Sequence, residues 1–241
     1  MRFLVFQHLD TEHPGIFRNF MDEDGIGRDT VQLDEGEPIP GLEGYDALIV
    51  MGGPMDTWEE DAHPWLAPEK KVIGRWVKEL GKPFLGICLG HQLLADSVGG
   101  GVARMAAPEV GICDVALTEE GRADPLFAEL GPILGCLNWH GAEVSLLPAG
   151  AVVLASNPAC AVQALRVGDA AYGLQFHGEL TAEMVQDWGK IPAYRETLER
   201  VLGKGARERL ERDAAAHLPK FNSAARVLYN NFISIVRGNA A

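Results

Sequence analysis

An apolar run that stops at a glycine-framed cysteine constrains this chain more than any other feature. In Phe84-Leu85-Gly86-Ile87-Cys88-Leu89-Gly90-His91-Gln92-Leu93-Leu94, glycines stand two positions either side of Cys88, and a helical pattern begins at once. This is the sequence form of a nucleophile held on a tight turn between a buried strand and a helix. The glycines remove side-chain bulk where the backbone must turn and where a substrate must come close. Free N–H groups and the helix dipole at such a start favour negative charge, so a thiolate and an oxyanion would both gain. The expected chemistry is that of a reactive cysteine.

Length and charge are consistent with one large α/β domain. The chain has 241 residues and a formal net charge of −13, from 21 basic and 34 acidic side chains. Phosphate binding needs clustered Lys and Arg, so no nucleic-acid partner is expected. No apolar run reaches the roughly 18 residues of a membrane span. The opening Arg2-Phe3-Leu4-Val5-Phe6 is too short for the apolar part of a signal peptide and reads as a first strand. No membrane partner and a cytoplasmic location are expected. The four cysteines, Cys88, Cys113, Cys136 and Cys160, have neither C-x-x-C pairing nor zinc-like spacing. The last three read as small buried hydrophobes, and no metal site is expected.

Strands and helices alternate along the first half, which predicts a mainly parallel sheet covered on both faces. Arg2–Gln7, Asp46–Met51 and Phe84–Ile87 read as strands; Pro14–Asp24, Trp65–Leu80 and Gly90–Val98 read as helices. The pattern then changes to short apolar runs near Ile112–Leu117, Val152–Ala155, Ala161–Val167 and Ala171–Phe176, with a turn at Gly168-Asp169. These predict antiparallel additions to the sheet. From Thr181 the chain reads as helical. The last segment carries Ala224, Leu228, Phe232 and Ile235 on one stripe after a cap at Asn222 or Ser223. The mixed charges of Arg207–Arg212 read as a solvated helix face. The expected organisation is a domain over residues 1–180 and a helical extension over 181–241 packed on it.

A nucleophile needs a base. His8, His13, His63 and His217 sit in contexts with no supporting motif, and His91, on the new helix's first turn, is expected to pack or cap. His177 differs. It follows the buried run Tyr172-Gly173-Leu174-Gln175-Phe176, and Glu179 comes two positions later. In an extended chain residues i and i+2 point to the same side. Glu179 could then orient one ring nitrogen of His177 and leave the other to face a thiol.

Three motifs together resemble the class I glutamine amidotransferases of the Cys-His-Glu type. They are Gly52-Gly53-Pro54, Gly86-Ile87-Cys88-Leu89-Gly90-His91-Gln92 and Gly173-Leu174-Gln175-Phe176-His177-Gly178-Glu179, in the family's order. Trp139-His140-Gly141 and Asn157-Pro158 … Gln163-Ala164 resemble stand-alone proteins similar to the glutaminase part of GMP synthase. The resemblance implies a flavodoxin-like fold and a mechanism. Cys88 would attack a γ-glutamyl amide and form a thioester, His177 would move the protons, and Glu179 would orient His177. Gly52, Gly53 and Leu89 would hold the oxyanion; Gln92 and the backbone near Trp139 and Gly141 would hold the substrate's α-amino and α-carboxylate groups, with His140 shaping that loop. The substrate would be glutamine or another γ-glutamyl small molecule, and no cofactor is implied.

Two departures stand out. Gly178 replaces the proline usual in His-Pro-Glu, and Ala142 replaces an acidic residue often found after Trp-His-Gly. The chain also carries no Ser-Gly-Gly-x-Asp-Ser loop and no G-x-x-x-x-G-K-[ST] motif to activate an ammonia acceptor. The expected role is therefore to supply ammonia to a separate synthase. The alternatives are a γ-glutamyl peptidase acting alone and, from another class, a silent binding or regulatory module.

Overall fold

The computed structural model describes residues 1–239. Strand β1 (Arg2–Gln7) leads through helix α1 (Ile16–Glu23) to β2 (Gly27–Gln32). After β3 (Ala47–Val50) come α2 (Leu66–Lys78), β4 (Phe84–Ile87) and α3 (Leu89–Ser97). The second half opens with two long strands, β5 (Gly101–Leu117) and β6 (Ile133–Leu146), joined through the short helix α4 (Glu119–Ala123). Three shorter strands follow: β7 (Val152–Ser156), β8 (Ala164–Val167) and β9 (Ala171–Leu174). Helices α5 (Ala182–Trp188), α6 (Pro192–Leu202) and α7 (Ala206–Asn239) complete the described chain.

All the strands form one sheet in the order β2-β1-β3-β4-β9-β8-β7-β5-β6. The first four, with β9 beside them, run parallel; β8, β7, β5 and β6 are joined by antiparallel pairings. The order β2-β1-β3-β4 is that of flavodoxin-like folds, and ligands of such sheets bind beyond the carboxyl ends of the strands. β3, β4 and β9 are buried at every residue, as parallel strands covered on both faces must be. On one face α1 and the end of α7 pack Phe17, Met21, Leu228 and Phe232 over Phe3, Val5 and Ile49. On the other, α2 and α3 pack Ile73, Trp76 and Leu93 over Leu4, Phe6 and Val50. A third cluster joins Trp139 and Leu137 of β6 to α5, α6 and the first half of α7.

Several expectations need correction. β2 reads poorly in sequence because it is a polar edge strand, Gly-Arg-Asp-Thr-Val-Gln, with one fully buried side chain. The run at Ile112–Leu117 is only the end of the 17-residue β5. Trp139, His140 and Gly141 lie within β6 rather than on a loop, paired with β5 at Trp139–Val110 and His140–Glu109. No helix starts at Asn222 or Ser223: α7 runs unbroken through both, with Pro219 inside it. The Ser223 hydroxyl donates back to the Pro219 carbonyl instead of capping. The buried stripe is accordingly Phe221, Ala225, Leu228, Phe232 and Val236, with Ala224 and Ile235 only half-buried.

Candidate active site

Cys88 stands between β4 and α3 with φ 52° and ψ −104°, a left-handed conformation that side chains rarely adopt. The flanking glycines are required by close approach. A Cβ on Gly86 would lie 2.3 Å from the Gly90 carbonyl oxygen, and one on Gly90 would lie 2.1 Å from that of Val50. The Cys88 N–H donates to the Leu174 carbonyl of β9 at 2.8 Å, tying the turn to the neighbouring strand. The thiol lies 3.9 Å from the Trp139 carbonyl oxygen and lines a cavity of about 770 Å³.

His177 comes just after β9, and its N–H donates to the Leu137 carbonyl at 2.9 Å. Its ring Nδ1 is 2.8 Å from Glu179 Oε1, and both side chains are buried. Trp188 of α5 packs on the ring with centroids 4.5 Å apart. Burial opposes charge on His177, but attraction to Glu179, the hydrogen bond to it and the nearness of Cys88 outweigh it, so its pKa stands well above the ordinary value. Gly178 between them has no crowded neighbour: an added Cβ would meet Leu228 and Phe176 at 3.8 and 4.0 Å.

The two-glycine turn after β3 completes this end of the sheet. A Cβ on Gly52 would lie 2.6 Å from Glu12 Oε2 and 3.4 Å from His177 Cε1, so a side chain there would have to displace the Glu12 carboxylate. Gly53 lines the cavity together with Cys88 and Leu89. Among the described residues the Gly53 N–H has no hydrogen-bond acceptor, and the Leu89 N–H, at the helix start, has no intrahelical one.

Gln92, Trp139 and Gly141 also line the cavity. Gln92 Nε2 sits 3.1 Å from both the Ala142 carbonyl oxygen and Gln175 Oε1, which fixes the side chain. His140 bonds the same Ala142 carbonyl at 2.9 Å and Glu109 at 3.1 Å. Burial works against ionisation of Glu109, yet bonds from His140, Asn157 and Gln163 hold its carboxyl below the ordinary carboxylate value. His140 lines the cavity beside Trp139, Gly141 and Ala142, so these residues share one wall near Cys88.

Other expectations concern groups outside this cluster. His91 is fully buried against Gly173, and burial pushes its pKa down to about 3. Cys113, Cys136 and Cys160 are free thiols, with Cys113 only half-buried and burial pushing the Cys160 thiol up to about 12. Among the described residues no group of three or more His, Cys, Asp or Glu side chains is placed to hold a metal ion, and no helix is long and apolar enough to cross a membrane.

Sequence reading missed two parts of the site. Helix α6 lays Ala193, Tyr194, Thr197, Arg200 and Val201 along the cavity. The Tyr194 hydroxyl donates to Glu12 Oε1 at 2.6 Å, across 182 positions of sequence, and burial raises the Glu12 pKa. Opposite, β5 loops out residues 105–108 between Arg104 and Glu109, and these too line the cavity. Neither carries a local motif.

The sequence model described as Glutamine amidotransferase class-I matches residues 25–186. The chain belongs to the class-I glutamine amidotransferase family. Among its relatives is the glutamine amidotransferase-like protein YfeJ of Salmonella typhimurium, 31% identical over 77% of this chain and 79% of that protein. One of the GMP synthase (glutamine-hydrolyzing) subunits of Sulfolobus acidocaldarius is 33% identical over 64% of this chain and 78% of its own length. A solved glutamine amidotransferase from Thermotoga maritima superposes with a TM-score of 0.85 at 28% identity, covering 98% of both chains. That match extends through α5, α6 and α7 as well as the family segment.

Proposed function

We propose that this amidotransferase hydrolyses the side-chain amide of glutamine through a thioester on Cys88. The observation that carries the reading is a cysteine on a strained strand–helix turn, at the wall of a substrate-sized cavity, beside a buried pair in which His177 Nδ1 meets Glu179 at 2.8 Å. His177 takes the thiol proton as sulfur attacks the amide carbon. The Gly53 and Leu89 N–H groups receive the oxyanion, a contribution worth about 2.7–4 kcal/mol per donor in comparable enzymes. Collapse of the intermediate expels ammonia with the proton from His177. Water, deprotonated by the same ring, then releases glutamate and the free thiol. Glu179 keeps the ring oriented and favours its charged form. The acceptor of the ammonia would be a separate synthase, since the Sulfolobus relative is itself one subunit of a synthase.

A second reading is favoured by the cavity itself. Its volume is that of sites for drug-sized ligands, more than free glutamine fills. Beyond Cys88 it is lined by Arg104 and Arg200, which suit a carboxylate on a leaving group larger than ammonia. γ-Glutamyl peptides or conjugates would use the same thioester chemistry.

The deciding experiment measures ammonia from glutamine and amine from γ-glutamyl dipeptides, with the parent chain and Cys88→Ala. The expected result is turnover by the parent and its loss in the variant. Full activity in Cys88→Ala, or no turnover of any γ-glutamyl compound by the parent, sinks the reading and leaves the silent module. Mass added at Cys88 by a glutamine-like diazo-ketone is the independent check.

A further inference from the structure

His8 and Glu69 form a second fully buried histidine–glutamate pair that the mechanism above does not use. His8 follows β1 directly, and Glu69 lies in the first turn of α2; both side chains are inaccessible to solvent. His8 Nε2 is 2.9 Å from Glu69 Oε1, and His8 Nδ1 is 2.8 Å from the carbonyl oxygen of Gly52. The carbonyl can only accept, so Nδ1 carries the proton and donates to it. Trp65 stacks on the ring, with centroids 5.2 Å apart and planes 14° from parallel. Burial works against charge on His8, but Glu69 and the Gly52 carbonyl more than offset it, and its pKa stands above the ordinary value.

A trans peptide is a rigid plane whose C=O and N–H point in opposite directions. The described chain contains no cis peptide. With the Gly52 carbonyl turned to His8, which is buried, the Gly53 N–H is turned away from it, and Gly53 lines the cavity beside Cys88. That orientation needs an anchor. Both positions are crowded, with Glu12 Oε2 at 2.6 Å from a Gly52 Cβ and Met55 Sδ at 2.6 Å from a Gly53 Cβ, so a side chain at either would have to displace one of these groups. A peptide between two glycines has the softest torsions in a chain. Rotated the other way, it would aim a carbonyl dipole where negative charge develops. A buried ion pair is poor evidence of added stability, so its cost suggests another use.

We infer that His8, held by Glu69, is a positioning residue that locks the Gly52–Gly53 peptide with its N–H available to the reaction's oxyanion. This rests on the thioester reading in its kinetic part and on the peptide geometry alone in its structural part.

The test compares His8→Ala, Glu69→Gln and His8→Gln with the parent. The expected result for His8→Ala is a fall in kcat of about 10²-fold, the cost of a lost oxyanion donor, with KM within about twofold. Alkylation of Cys88 by iodoacetamide forms no oxyanion, and its rate should stay at the parent value. His8→Gln can still donate to the carbonyl and should recover part of kcat. Glu69→Gln keeps the shape and covers the case in which His8→Ala does not fold. A crystal structure of whichever of these two variants folds should show the Gly52 carbonyl rotated or in two orientations. Unchanged kcat, an equal loss of alkylation rate, or a retained peptide orientation overturns the inference. If the parent turns over no γ-glutamyl compound, the functional reading fails while the orientation of the peptide still decides this one.

Discussion

In the parallel half of the sheet, side chains and N–H groups gather just past the strand ends: His8 after β1, the glycine pair after β3, Cys88 after β4 and His177 after β9. These strands are buried almost throughout and held by hydrogen bonds to neighbours on either side, so each of these groups hangs from a stiff support. In the antiparallel half, β5 and β6 are long and partly exposed, and their register slips between Arg104 and Glu109. There the sheet supplies wall rather than chemistry, and α6 supplies the wall facing it. Rigid strands hold the cluster around Cys88; irregular strands and an added helix set the room around it.

That division is broken if changes in the two halves have similar consequences. The largest expected effect is in the parallel half. Glu179→Gln removes the charge that favours protonated His177, and kcat/KM should fall about 10³–10⁴-fold, as for the equivalent member of other triads. It also carries a pH signature. The folded-state pKa of His177 is raised, so the pairing stabilises fully below the ordinary 6.5 and its contribution is lost as pH rises through the raised value. Thermal melts should therefore separate parent and variant most below pH 6.5, and the gap should close at higher pH. A gap that widens on raising the pH contradicts the assignment.

Arg200→Ala tests the wall. KM for γ-glutamyl dipeptides should rise about two- to fivefold, the worth of one exposed charge, while kinetics with glutamine stay unchanged. Equal effects on both substrates would place Arg200 with the reacting groups and blur the comparison. The smallest effect belongs to Gly178→Ala. The position is uncrowded and outside the left-handed region, so a methyl group should stabilise by about 0.4–1 kcal/mol through the unfolded chain, read as a rise in Tm. A drop in Tm would mean that the turn between His177 and Glu179 depends on glycine's freedom.

The legible part of this protein was local. Glycines two positions either side of Cys88 report a turn in which two backbones nearly touch, and Gly86 and Gly90 do meet carbonyl oxygens at a distance no side chain tolerates. The i, i+2 spacing of His177 and Glu179 does bring Nδ1 and a carboxylate together, although the chain bends on both sides of His177 and pairs there only through an isolated bridge to Leu137. The buried apolar runs declared the parallel strands. β2 stayed hidden because an edge strand need bury little, and the strand around Trp139 because tryptophan, histidine and glycine together carry no strand signature.

What only the tertiary structure decided lies between residues far apart. Tyr194 meets Glu12 across 182 positions, and His8 meets Glu69 across 61. A side chain's own neighbours say nothing about such partners, since the contact is set by how helices dock on the sheet. The sequence by itself determined the turn that presents Cys88, because that turn is built from adjacent residues. The size and charge of the cavity, and the hand that holds the Gly52 carbonyl, were decided by packing, because they come from elements that share no stretch of chain.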